Sequence, residues 1–219
     1  MLDKSIPYKE ILMVRSAADA LPERKALPEG YTARLFQPGD ETGWASVETS
    51  VGEFDNVGDG LRYFHREFTP HLADVQQRCT LICDPSGCPV ATATAWWSVF
   101  QQNRFGLIHW VAVTPRCQGM GLGRTVTVQA INRLAELEPG QMQMLHTQTW
   151  SHIAIRMYQS LGFRLVTGVS PLCPENDAQS ALSVLRTVMD PVSLRTLTEN
   201  TVDASRLIET KSLGDGGHA

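Results

Sequence analysis

What the chain lacks narrows its function first. Its 219 residues contain no apolar run long enough to cross a bilayer. No Lys/Arg cluster stands out and the formal net charge is −4, which argues against a nucleic-acid surface. The opening stretch "MLDKSIPYKEILMVRSAADALPERKALPEG" holds no apolar signal-peptide core, so a cytoplasmic protein with no membrane partner is expected. Cysteine is scarce and odd in number: Cys79, Cys83, Cys88, Cys117 and Cys173. That usage suggests reduced, buried thiols. Cys79 and Cys83 lie in a strand-like run, where four residues at about 3.3 Å each separate them by roughly 13 Å, too far to share a zinc ion. No metal is expected. What is there, 42% hydrophobic and 19% charged residues, is ordinary globular composition on a length that buries a substantial core.

Residues 1–29 carry Pro7, Pro22 and Pro28 with little periodicity and read as an N-terminal extension. "YTARLF" reads as a strand ended by "QPGD". Asp40 is placed to cap a helix through "ETGWASVETSVGEF". "GDGLRYFHREFTPHLADVQQ" reads as a second helix, irregular at Pro70. "CTLICD" and "VATATAWWSV" around "PSGCP" signal a hairpin, and "RFGLIHWVAV" continues the sheet. A helix follows with Val126, Ala130, Leu134 and Leu137 on one face. Then come a strand in "MQMLHTQTW", a helix in "SHIAIRMYQSLGF" stopped by Gly162, and a strand in "FRLVTGV". Residues 30–170 thus form a mixed α/β domain. Residues 171–219 are a C-terminal extension, helical around Ala181, Leu185 and Val188, with "KSLGDGGHA" as a frayed tail.

The informative stretch is "VAVTPRCQGMGLGR". The dinucleotide fingerprint fails because Arg124 stands where its third glycine belongs, and the P-loop fails because Gln118 stands where its first belongs. Alternating glycines let successive backbone N–H groups turn inward and form an anion nest. The following helix adds its N-terminal dipole. Arg124 in the first turn opposes that dipole unless an anion sits there. A pyrophosphate-like group is the expected ligand, with a plain glycine-rich turn as the alternative.

These residues resemble the GNAT superfamily of acyl-CoA-dependent N-acetyltransferases, and the stretches "GEF", "TATAWW", "LIHWVAV" and "LHTQTW" look like an uncharacterised bacterial branch of it. Its loop motif, [QR]-x-x-G-x-[GA], is matched by Gln118, Gly121 and Gly123, and its V-x-V-x-P by Val111, Val113 and Pro115. Its second motif, N-x-x-A-x-x-x-Y-x-x-x-G-[FY], is matched by Ala154, Tyr158, Gly162 and Phe163. Ser151 departs from the asparagine there, which puts that pantetheine anchor in doubt. The resemblance spans about residues 31 to 170. It implies a mixed, mostly antiparallel sheet, splayed between the fourth and fifth predicted strands, with helices on both faces.

It also implies chemistry. Acetyl-CoA would be the cosubstrate, its pantetheine arm pairing with backbone groups of Val111 and Val113. A backbone N–H near Val111 or Ala112 would polarise the thioester carbonyl. Gln118, Gly119, Met120, Gly121, Leu122, Gly123 and Arg124 would hold the pyrophosphate, and Ser151 would stand at the pantetheine position. An amine of a small molecule would attack the thioester directly. Tyr158, with an ordinary pKa of about 10, suits proton donation to the departing thiolate. His109, expected on one face with Val111 and Val113, is the candidate base. Glu53 is its rival or an ammonium anchor, while His146 and His152 are weaker candidates. The first two helices usually line the acceptor pocket in this superfamily. They offer Glu48, Glu53, Asp55 and Asp59 beside Phe54 and Phe64, a set suited to a small cationic amine. Trp97 and Trp150 are the expected aromatic walls. Alternatives are a non-catalytic acyl-CoA-binding module and a peptide or protein N-acetyltransferase. The C-terminal helix leaves room for a homodimer.

Overall fold

The computed structural model describes residues 2–100 and 103–207, divided into two compact units. The first is built mainly from residues 17–99 and 104–143. Its strands β2 (Thr32–Leu35), β3 (Cys79–Cys83), β4 (Pro89–Phe100) and β5 (Asn103–Val113) neighbour one another in that order. β2 and β3 pair antiparallel with Arg34 opposite Leu81, and β3 and β4 pair antiparallel with Leu81 opposite Thr92. The ladder is irregular between Ile82 and Cys83, next to the tight turn before β4. All five residues of β3 are buried, as a strand covered on both faces must be.

Its helices are α1 (Glu41–Val51), α2 (Val57–Glu67), α3 (Leu72–Arg78) and α4 (Leu122–Leu137). α1 stops at Gly52, whose φ of 97° is left-handed and closes the helix. Asn56 caps α2 by accepting the Asp59 N–H at 3.0 Å. The irregularity expected at Pro70 is a 3-10 turn, Thr69–His71, which separates α2 from α3. One cap differs from expectation. Asp40 precedes α1 but makes no side-chain cap bond. Arg34 takes its carboxylate in a two-pronged ion pair, and the Gln37 N–H donates to it as well. A bidentate guanidinium outcompetes a single orphan N–H. Phe36, Trp44, Ala45, Phe64, Phe68, Val75, Cys79 and Leu81 form this unit's core.

The second unit comprises residues 3–16 and, among those described, 144–207 with the ends of β4 and β5. Its strands run in the order β6 (Gln143–Gln148), β1 (Glu10–Arg15), β7 (Arg164–Thr167) and β8 (Thr201–Asp203). β1 pairs antiparallel with β7, Met13 opposite Leu165, and β7 pairs parallel with β8. β1 thus falls within the stretch read as an extension. Its Ile11, Leu12, Met13, Val14 and Arg15 are all buried, so it shows none of the alternation that marks a half-buried strand. α5 (His152–Ser160), α6 (Ala178–Leu185) and α7 (Pro191–Glu199) complete the unit. α6 packs on β1 and β7 through buried Ala181 and Leu185. Asp177 and Asp190 cap α6 and α7, and Pro191 starts α7 where its missing N–H costs nothing. The frayed tail expected in "KSLGDGGHA" lies outside the described residues.

The cysteines are free: Cys79, Cys83, Cys117 and Cys173 are buried as expected. Cys88 is exposed, because it sits at the solvent side of the turn before β4. Among the described residues, no helix is long and apolar enough to cross a membrane.

Candidate active site

The glycine stretch lies between β5 and α4. β5 leads into a 3-10 turn, Pro115–Cys117, and the Gln118 amide locks it by donating to the Val113 carbonyl at 2.9 Å. Gly119 and Gly121 have φ of 79° and 81°, the left-handed region that glycine takes without strain. An added Cβ at either would meet nothing within 4 Å, so the loop is open on that side. Gly123 differs, lying in the first turn of α4. Gly121 is the residue before the helix and brings no side-chain cap, and the first turn contains no acidic residue. The N-terminal N–H groups of α4 therefore have neither a capping oxygen nor a carboxylate against the dipole. Buried Leu122 anchors the helix start, and Gln118, Gly119, Met120 and Gly121 are exposed. This surface selects an anion.

β5 itself is irregular. Trp110 has φ of 51°, a left-handed bend in mid-strand that costs an L-residue about 1–2 kcal/mol. The strict alternation expected to align His109 with Val111 and Val113 does not carry across such a residue. Beyond it the alternation resumes, with Ala112 buried between half-buried Val111 and Val113. Packing holds the bend. The Trp110 ring lies 5.3 Å from Trp44, 5.4 Å from Phe54 in a stacked pair, and 4.9 Å from Tyr63. His109 is half-buried, its ring 5.2 Å from that of Trp110. Trp44 and Tyr63, absent from the sequence-based site, complete this ring cluster. Their spacing around Phe54 and Phe64 is the only trace in the sequence.

Glu48 points into the same unit's interior. It is 1% exposed, and its Oε1 has no hydrogen-bond partner among the described residues. Burial first, and the charge of Glu53 second, raise its carboxyl well above the ordinary range. Glu53 itself is exposed at the end of α1, its N–H bonded to the Glu48 carbonyl at 3.2 Å. Asp59 is occupied by Asn56 and Arg62. Phe64 is wholly core. Trp97 is sandwiched: its ring stacks on Trp96 at 4.0 Å, and the Arg104 guanidinium lies 3.9 Å from its centroid. Glu138 fixes that cation from 2.9 Å and pairs with Arg78 from 3.0 Å.

In the second unit, Tyr158 lies on α5 and is 6% exposed, its ring 6.0 Å from Phe163. The Leu161 and Phe163 N–H groups both donate to its carbonyl, and Gly162 makes the turn with φ of 90°. Buried Arg15 donates from Nε to the Leu161 carbonyl at 3.0 Å, a cation where the helix dipole favours one. Ser151 ends the 3-10 turn Thr149–Ser151 ahead of α5 and makes no side-chain cap bond. The Trp150 indole N–H donates to the Ile6 carbonyl at 2.8 Å, and its ring meets Tyr8 edge-on.

Against known proteins, residues 47–163 match the family model described as the Acetyltransferase (GNAT) family. A mycothiol acetyltransferase from Thermomonospora curvata is 31% identical over 157 residues, 65% of this chain and 47% of that protein. One from Paenarthrobacter aurescens is 28% identical over 172 residues, 72% of this chain and 50% of that protein. The chain spans about half the length of the curated relatives it matches. A GCN5-related N-acetyltransferase from Sphaerobacter thermophilus superposes with a TM-score of 0.57 at 23% identity, covering 73% of this chain and 49% of that one. That likeness concerns the fold.

Proposed function

We propose, because the chain belongs to the acetyltransferase (GNAT) family, that it transfers an acetyl group from acetyl-CoA to an amine of a small molecule. The observation that carries this reading is the start of α4: two left-handed glycines, an open loop and a helix N-terminus without cap or carboxylate. The pyrophosphate of acetyl-CoA takes the backbone N–H groups from Gly119 to Arg124, since that of Gln118 already donates to the Pro115 carbonyl at 3.2 Å. Backbone groups of Val111 and Val113 pair with the pantetheine amides, and a backbone N–H near Val111 or Ala112 polarises the thioester carbonyl. The bend at Trp110 supports that role, since residues held in sparsely populated backbone regions cluster at active sites.

The acceptor's neutral amine attacks the carbonyl carbon. A C–N bond forms, the C–S bond breaks, and the electron pair leaves on sulfur. Tyr158 supplies the proton that the thiolate takes, and His109 or Glu53 removes the one that nitrogen loses. Exposed Glu53, just past the end of α1, favours a cationic acceptor. The names of the mycothiol acetyltransferases support a small metabolite over a peptide.

Calorimetric titration with acetyl-CoA, with NADH and ATP as controls, tests the loop. Selective micromolar binding is expected, and a preference for either control overturns the reading. Tyr158→Phe should lower kcat by about 10²–10⁴-fold while leaving acetyl-CoA affinity nearly unchanged. Full turnover in that variant removes Tyr158 from the mechanism, and binding without turnover on any amine in the wild type makes the domain a non-catalytic acyl-CoA binder.

A further inference from the structure

We propose that Glu10, His146 and Cys173 form a zinc site that ties β1, β6 and the turn after β7 together. It lies within the second unit and is independent of the transferase reading. One oxygen, one nitrogen and one sulfur, from three separate segments, all lie within 4.8 Å of one another. The His146 Nδ1 and Glu10 Oε1 are 3.9 Å apart, too far for a hydrogen bond and within the span of two ligands on one ion. Tetrahedral zinc holds such ligand pairs about 3.3–3.6 Å apart, so side-chain rotations of about an ångström close the set. The donor types suit zinc, and three protein ligands leave its fourth position to water.

The turn that carries the sulfur has a supporting frame. The Asn176 backbone N–H donates to the Cys173 carbonyl at 3.0 Å and closes the turn. Asn176 in turn accepts the Leu12 N–H at 2.9 Å and donates to the Val166 carbonyl at 3.1 Å, binding the turn to β1 and β7. Glu10 and Glu175 place negative charge beside the buried sulfur, where a divalent cation is favoured. Tyr8 holds the second Glu10 oxygen and leaves Oε1 toward His146. The His146 side chain is 33% exposed and opens an entry path. Binding exchanges the Cys173 S–H bond for an S–Zn bond and releases one proton to buffer.

The test uses the full chain with Cys88→Ser, which removes the exposed thiol. Zinc titrated against a chromophoric chelator should bind at one equivalent, and cobalt should give tetrahedral visible bands with a thiolate charge-transfer band. Cys173→Ser should abolish the charge-transfer band. His146→Ala, at a partly exposed position that does not endanger folding, should weaken zinc by more than the about 10–100-fold that losing even a supporting partner costs. His71→Ala should change nothing. Absence of stoichiometric binding overturns the proposal, and so does binding that survives His146→Ala. If Cys173→Ser does not fold, the His146→Ala titration alone decides.

Discussion

Replacing Glu48 by glutamine should make the protein more stable as pH rises. The side chain is fully buried on α1, and burial with the Glu53 charge holds its carboxyl neutral well above the ordinary range. In the unfolded chain the same group ionises near about pH 4.3. Between those two values the folded state holds a proton that unfolding releases. Stability therefore falls with rising pH, by up to about 1.4 kcal/mol per pH unit for this one group. Below the unfolded value both states are protonated and the effect vanishes. Above the folded value the loss is complete and the slope returns to zero. Glutamine fills the same volume and does not titrate. The unfolding free energy of Glu48→Gln minus that of wild type should thus climb by up to about 1.4 kcal/mol per pH unit from about pH 5. It should flatten at the folded-state pKa of Glu48. Urea unfolding followed by tryptophan fluorescence at four pH values gives the curve, and contributions from distant groups cancel in the difference. Glu53→Gln should move the plateau to lower pH. Parallel wild-type and variant curves would refute the reasoning, because they would mean that Glu48 is charged in the fold.

Three further outcomes follow from the packing. Gly106→Ala puts a Cβ 2.9 Å from Leu134 Cδ2 and 3.2 Å from its Cγ. It should cost about 1–3 kcal/mol, and the cost should shrink in a Leu134→Ala background, read by a double-mutant cycle. Trp110→Gly and Trp110→Ala both lose the ring cluster, at about 3–5 kcal/mol, but only glycine relieves the bend. Glycine should therefore be the more stable of the two by about 1–2 kcal/mol, the reverse of the order in a regular strand, as thermal unfolding would show. Asn56→Ala removes the α2 cap and should cost about 0.5–2 kcal/mol in chemical unfolding, whereas Asn56→Ser should lose far less.

Much of the fold was legible where periodicity or punctuation is strong. The hairpin around "PSGCP", the break at Pro70 and the glycine loop all announce themselves. β1 did not, because "EILMVR" is buried along nearly its whole length and a short apolar run carries no period. β8 has only three residues and α7 itself lies in a weakly patterned stretch. Asp40 has the chemistry of a cap, but Arg34 stands six residues away in sequence and takes its carboxylate. The left-handed Trp110 leaves no local mark either, since its conformation is imposed by rings from α1 and α2 and the stretch between them. Of the candidate site, the residues of the loop were readable from spacing. The burial of Glu48 and the sandwiching of Trp97 depend on tertiary neighbours that no local pattern encodes.

The pairing of β1 with β7 sets a problem of timing during synthesis. Met13 lies opposite Leu165, about 150 residues later in the chain. At about 5–20 residues per second, a ribosome delivers the partner roughly 8–30 s after it delivers β1. For that interval Ile11, Leu12, Met13 and Val14, all destined for burial, lack their β7 partner. The first unit can collapse while they wait, since its strands and helices are almost complete by residue 143. The second unit cannot. Its folding waits for β7, and until then β1 is a short apolar segment suited to any factor that shields one.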